Sequence, residues 1–283
     1  MLKGAMVVCT LYLSMNGIFA GEPFIVAHRG ASYDAPENTL AAFRLAWDQG
    51  ADAIEGDFYL TKDRHIVCLH DRTTKLTSGK DLKVADSTLA ALRTLDVGSW
   101  KDAKWTGERI PTLEEVLALV PPGKKIFLEL KSGPEIVPRL KETLAKVRLA
   151  AAQTIVIAFD PQVVTEAKRQ MPGLRAFWLT AYKKNEETGQ WRPAAATILE
   201  TLKRIGADGL DSEAHACVDA ALARELRQAG YSLHVWTVDQ PETAARFWKL
   251  GVASITTNRP RWLREQTKAL LADPNDRHKK TNP

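Results

Sequence analysis

Two histidines, three carboxylates and two cations stand at the ends of short apolar runs in this chain. His28 and Arg29 follow Phe24-Ile25-Val26-Ala27, while Glu55 and Asp57 stand two apart in Ala53-Ile54-Glu55-Gly56-Asp57-Phe58. His70 and Asp71 close the run that begins at Ile66, and Glu129 and Lys131, again two apart, close the run that begins at Ile126. Residues two apart on a strand point to the same side, so each pair is delivered to one face. Three carboxylates in one place repel unless a cation lies between them. Glu55, Asp57 and Glu129 therefore point to a hard divalent ion held through oxygen, Mg²⁺ or Ca²⁺. No Cys-and-His group has zinc spacing. The competing reading neutralises the acids with Arg29 and Lys131. If a metal does that instead, the two cations are left for an anionic substrate, Arg as a fork and Lys as a point charge. A metal and two cations around one anion are the apparatus of phosphoryl chemistry, and His28 and His70 are the groups able to move protons near neutrality.

Such a site needs a scaffold that brings many strand ends together. From Phe24 onward, short apolar runs alternate with amphipathic stretches. Strands are predicted at 24–27, 53–58, 126–130, 155–159, 176–180, 208–210, 233–238 and 254–257, with a further run at 66–70. Helical patterns lie near 39–49, 112–120, 135–149, 161–171, 194–205, 216–229, 241–250 and 260–271. Thr112 before Leu113-Glu114-Glu115 reads as a capping box, and Pro161 and Pro241 suit first helical turns. Eight strand–helix units in 283 residues indicate an α/β fold, a closed (β/α)₈ or TIM barrel. Such barrels build their sites at the carboxyl ends of the strands, where all seven residues fall. Residues 71–111 read as an insertion after the second strand, placed where substrate-shaping loops occur. No glycine-rich nucleotide loop follows the first strand.

The composition, 45% hydrophobic and 26% charged, is that of an ordinary globular chain. The formal charge of +5 concentrates anions only weakly, and no basic block is interleaved with aromatics, so no nucleic-acid partner is expected. Lys3 precedes an apolar stretch from Ala5 to Ala20, which reads as a cleaved signal peptide over 1–20. The mature domain then spans 21–275 with a basic tail at 276–283, secreted or periplasmic, without a stable membrane span. Cys68 and Cys217 remain after cleavage, free or paired.

At these residues the chain resembles the glycerophosphodiester phosphodiesterase family. The matching pieces are Ala27-His28-Arg29-Gly30, Pro36-Glu37-Asn38-Thr39, Gly50 to Asp57, Thr61-Lys62-Asp63, His70-Asp71, Phe127 to Lys131 and Val235-Trp236-Thr237-Val238. They run in order through nearly the whole mature chain. The resemblance implies a TIM barrel with a small insertion, hydrolysing glycerophosphodiesters, as small-molecule substrates, to sn-glycerol 3-phosphate and an alcohol. It makes His28 and His70 the general acid/base pair, and Glu55, Asp57 and Glu129 the ligands of Ca²⁺ or Mg²⁺. Arg29 and Lys131 become phosphate contacts and Trp236 a pocket wall. Gly56, Arg64, Asp239 and Asn258 depart from the family's usual residues; Asn is frequent at 239 and Asp at 258. Two other readings compete: a lysophospholipase D-like enzyme and a catalytically silent phosphodiester-binding barrel.

Overall fold

The computed structural model describes residues 22–147 and 149–272. The strands, in chain order, are β1 (Phe24–Ala27), β2 (Ala53–Leu60), β3 (Ile66–Cys68), β4 (Lys125–Leu130), β5 (Thr154–Ala158), β6 (Arg175–Thr180), β7 (Lys183–Lys184), β8 (Trp191–Arg192), β9 (Gly209–Glu213), β10 (Ser232–Trp236) and β11 (Ser254–Thr257). Eight of them pair in parallel in the order β1-β2-β4-β5-β6-β9-β10-β11, and β11 returns to β1 to close a barrel. The expected TIM barrel is thus the observed fold.

The strand pleat sorts side chains by parity. Ile25, Ile54, Leu128, Val156, Leu210, Val235 and Ile255 face the surrounding helices and pack into the main core. Val26, Ala53, Phe127, Ile155, Phe177 and Leu179 point inward and fill the barrel. Burying Phe127 and Phe177 stabilises the interior by about 2–3 kcal/mol each. His234 lies among them, stacked on Phe177 with ring centroids 4.2 Å apart. Its Nδ1 meets the Ser254 hydroxyl at 2.7 Å, and burial pushes its pKa down to about 3. It is a neutral packing element below the site.

Local chemistry starts the helices where the sequence places them. Thr112 and Glu115 form the full capping box, while Asp160 accepts from the Gln162 amide with Pro161 in the first turn. Some boundaries differ. The helix expected from 216 is Ala220–Gln228, because Asp219 is its cap and accepts from Leu222. The one expected over 112–120 is Leu113–Leu117, and the one expected over 135–149 is Ile136–Lys146. The β7–β8 hairpin, in the loop after β6, was not foreseen; its turn from Asn185 to Gly189 carried the signal.

β3, which leads into the insertion, runs antiparallel to β2 with Phe58 opposite Cys68. It lies outside the barrel's closed ring, ends at Cys68, and delivers His70 to the mouth from beyond its end. The turn joining the two strands is held by the Thr61 amide donating to the His65 carbonyl at 2.8 Å, with Arg64 in the left-handed region at φ 62°. Residues 71–111 fold over a small apolar cluster of their own, in which Leu92, Leu95, Val97 and Ile110 pack on Tyr59, Val67 and Leu69. Cys68 and Cys217 are free thiols. Among the described residues no helix is long and apolar enough to cross a membrane. The signal segment 1–20 and the tail 276–283 lie outside the described residues.

Candidate active site at the barrel mouth

β1 ends at Ala27, and Arg29 (φ 55°) and Gly30 (φ 82°) then turn the chain sharply. Gly30 is required there: a Cβ would lie 2.6 Å from the Ala42 carbonyl carbon, and side chains rarely adopt that φ. The turn aims the Arg29 amide at Glu55, to which it donates at 2.9 Å. His28, Arg29, Glu55, His70, Glu129, Lys131 and Trp236 all line one cavity of about 230 Å³. Asp57, 1% exposed, meets two of its lining residues, Arg29 and Lys131. The structure therefore brings together all eight residues singled out in the sequence.

The three acids are crowded. One oxygen from each of Glu55, Asp57 and Glu129 lies within 4.8 Å of the others. Two cations offset part of this charge. Lys131 Nζ lies 2.7 Å from Glu129 and 3.3 Å from Asp57, and Arg29 Nε lies 3.3 Å from Asp57. Glu37, which sequence reasoning left without a role, takes the other end of the guanidinium at 3.0 Å. Asp57 is the best served. Burial alone would raise its pKa, but Lys131 and Arg29 outweigh that and hold it below the usual carboxylate range. Glu55 is the worst served. Burial first, then Asp57 and Glu129, push its pKa well up, and its Oε1 is sealed without a partner among the described residues. Glu129 is pushed up to about 7 by burial and by Asp57. For Lys131 the attraction of Asp57 and Glu129 overcomes burial, and its pKa rises to about 12. A hard dication fits this donor set, because three clustered carboxylates and an orphaned buried oxygen are what such an ion would satisfy.

Asn38 positions Asp57. Its amide donates to Asp57 Oδ2 at 2.8 Å, and its oxygen accepts from the Asp57 amide and from the Cys68 thiol. Gly56 sits beside it, and a Cβ there would meet Phe43 at 3.1 Å and Cys68 at 3.2 Å, so the departure to glycine relieves crowding.

The histidines have different partners. His28 Nδ1 lies 2.8 Å from Asn258 Oδ1, and the Asn258 amide donates to the Asp239 carboxylate. The orientation follows from chemistry. The Asp239 carboxylate also accepts from the Thr257 hydroxyl and the Asn258 backbone amide, so it serves as an acceptor, the Asn258 NH₂ faces it and the Asn258 oxygen faces His28. That oxygen accepts, so Nδ1 carries the hydrogen and Nε2 keeps a lone pair. The residues at 239 and 258, each a departure alone, act as an exchanged pair. Burial, then the Arg29 charge, pushes His28 down to about 4, so it is neutral above that pH. His70, one-third exposed, instead meets a carboxylate, with Nδ1 2.8 Å from Asp71 Oδ1. Trp236 stands edge-on to Phe159 with centroids 5.5 Å apart, and its indole N–H donates to the Asp211 carbonyl at 3.1 Å. Asp211 also lines the cavity and was missed in the sequence; burial, then Glu129, raises its carboxyl to about 8. Beyond His70 a wider groove of about 700 Å³ opens toward Tyr59, Arg72, Ser132 and Asp160.

Residues 28–261 match the glycerophosphoryl diester phosphodiesterase family. A glycerophosphodiester phosphodiesterase of Caldanaerobacter subterraneus is 35% identical over 84% of this chain and 95% of its own length. One from Bacillus subtilis is 32% identical over 83% of each. Among solved structures, an Oleispira antarctica phosphodiesterase in complex with the product sn-glycerol-3-phosphate superposes with a TM-score of 0.77. It is 26% identical, with 87% of this chain and 97% of that one covered. A glycerophosphodiester phosphodiesterase from Thermotoga maritima gives 0.69 at 26% identity, covering 86% and 97%. The chain therefore belongs to the glycerophosphodiester phosphodiesterase family and is a phosphoric diester hydrolase.

Proposed function

We propose that the protein hydrolyses glycerophosphodiesters to sn-glycerol 3-phosphate and an alcohol, with Ca²⁺ or Mg²⁺ held by Glu55, Asp57 and Glu129 and with His28 and His70 moving the protons. The observation that carries this reading is the convergence of both imidazoles, two of the three clustered carboxylates and both cations on one cavity. When bound, a hard dication supplies charge that neutralises the carboxylates and draws electrons from phosphate oxygens.

The residues of the chain do the rest. Lys131 and Arg29 hold the phosphate, Lys131 as a point charge and Arg29 through the guanidinium edge that Glu37 and Asp57 leave open. His28, neutral and with a free Nε2 lone pair, takes the proton from the attacking oxygen, either water, which gives the monoester directly, or the neighbouring glycerol hydroxyl, which gives a cyclic phosphate that water then opens with the histidines exchanging roles. His70, whose Nδ1–H is held by Asp71, gives a proton from Nε2 to the departing alcohol. Its Nδ1 partner is a carboxylate, where that of His28 is the amide oxygen of Asn258. The wide groove beyond His70 receives the alcohol.

The protein, incubated with glycerophosphocholine and Ca²⁺ or Mg²⁺, should release choline together with glycerol 3-phosphate read by an enzyme-coupled assay. Faster turnover of lysophosphatidylcholine would instead identify a lysophospholipase D. The His28 assignment has its own test. Asn258→Asp combined with Asp239→Asn sets a carboxylate on Nδ1 and should raise the His28 pKa. A base must be unprotonated, so the acidic limb of kcat/KM should move up by about 1–3 pH units. An unmoved limb would take the base role from His28.

Export is proposed from Lys3 and the apolar stretch ending at Ala20. N-terminal sequencing of the protein from its host should begin near Gly21, and a retained Met1 would overturn it.

A further inference from the structure

Asp211 has no part in the mechanism above, yet it is placed at a cost. It lies on the inward face of β9, 1% exposed, opposite Leu179 on β6 and His234 on β10. Its Oδ1 is buried without a hydrogen-bond partner among the described residues. An acceptor sealed in this way has lost its bonds to water without replacement, a cost that a leucine of similar size would not incur. The cavity wall also carries Ile157, Leu179, Trp236 and Thr256, and its acids Glu55 and Glu129 are acceptors when ionised, so the lining leaves the Asp211 oxygen unpaired.

The two cavities divide the space around the reacting phosphate. They share His70, Glu129, Lys131 and Phe159. On the His70 side the groove of about 700 Å³ is open and can take alcohols of many sizes. On the other side the cavity of about 230 Å³ has room for little beyond a phosphate and a three-carbon alcohol. Its far wall is set by the Trp236 indole, anchored on the Asp211 backbone carbonyl at 3.1 Å. One residue thus fixes the wall and offers an unpaired acceptor beside it.

We propose that Asp211 is a specificity-determining residue whose carboxyl oxygen accepts a hydrogen bond from a hydroxyl of the substrate's glycerol end. This rests on the reading that the site takes glycerophosphodiesters, and it adds which residue recognises the constant half of the substrate. The unpaired oxygen gains its partner only when a polyol phosphate enters. A chain bearing an acyl group or lacking hydroxyls leaves it unpaired.

The test compares binding of sn-glycerol 3-phosphate with that of propyl phosphate, which has the same carbon chain without hydroxyls, to metal-loaded wild type, Asp211→Leu and Asp211→Asn by calorimetry. Wild type should favour glycerol 3-phosphate by roughly tenfold or more, the net worth of one good buried hydrogen bond. Asp211→Leu should bind both within about threefold of each other, at an unchanged or higher Tm, while Asp211→Asn, which keeps an acceptor oxygen, retains most of the preference. KM for glycerophosphocholine should rise in Asp211→Leu more than kcat falls. A preference that survives Asp211→Leu, or a fall in its Tm, overturns the proposal. Wild type that binds neither phosphate refutes the underlying reading of the site instead.

Discussion

His70→Ala should lower turnover of glycerophosphocholine by roughly 10²–10⁴-fold, the usual worth of a general acid. A nitrophenyl phosphodiester should recover much of that loss, since its leaving group departs without a proton. His28→Ala should lose a similar factor and gain little from the activated ester, because a good leaving group does not replace a base. The double variant should lose less than the product of the two, as members of one proton-transfer unit do not act independently. This division of labour follows from the partners: an amide oxygen on His28 Nδ1 and a carboxylate on His70 Nδ1. Equal responses of both variants to the activated ester would contradict it.

Glu129→Gln keeps the shape of a proposed metal ligand and removes its charge. The metal concentration for half-maximal activity should rise by at least about 10–100-fold, the range seen when only a ligand's supporting hydrogen bond is lost. The pH dependence has a definite sign. Without metal, burial and Asp57 push Glu129 up to about 7, and burial with the neighbouring acids pushes Glu55 upward as well. A cation needs them ionised; its uptake should therefore release protons and weaken as pH falls through 7. Calorimetry at pH 6 in two buffers of different ionisation enthalpy reads that release, which should shrink at pH 8. Heats independent of buffer at pH 6 and at pH 8 alike would contradict the assignment.

Much of the site was legible because its logic is periodic. Alternation along a strand puts Glu55 with Asp57 and Glu129 with Lys131, and the barrel rule puts every strand end at one mouth. Local signals such as Thr112 with Glu115, or Pro161, are equally visible because they act within one helical turn. The partners that orient the site were harder to read. Asn258 meets His28 across 230 residues, and the two touch only because β11 closes onto β1. Asn38 stands just before the helix cap Thr39 with no periodic signal of its own, yet it holds Asp57 across 19 residues. Asp211 follows Leu210 in an undistinguished run, and its unpaired oxygen becomes evident only once the neighbouring strands are in place.

The most direct measurement is ³¹P NMR of glycerophosphocholine with protein first stripped by EDTA and then supplied with Ca²⁺ or Mg²⁺. The diester signal should persist without metal, then convert after addition to that of sn-glycerol 3-phosphate as choline is released. Conversion by the stripped protein, or phosphocholine as the product, would contradict the account.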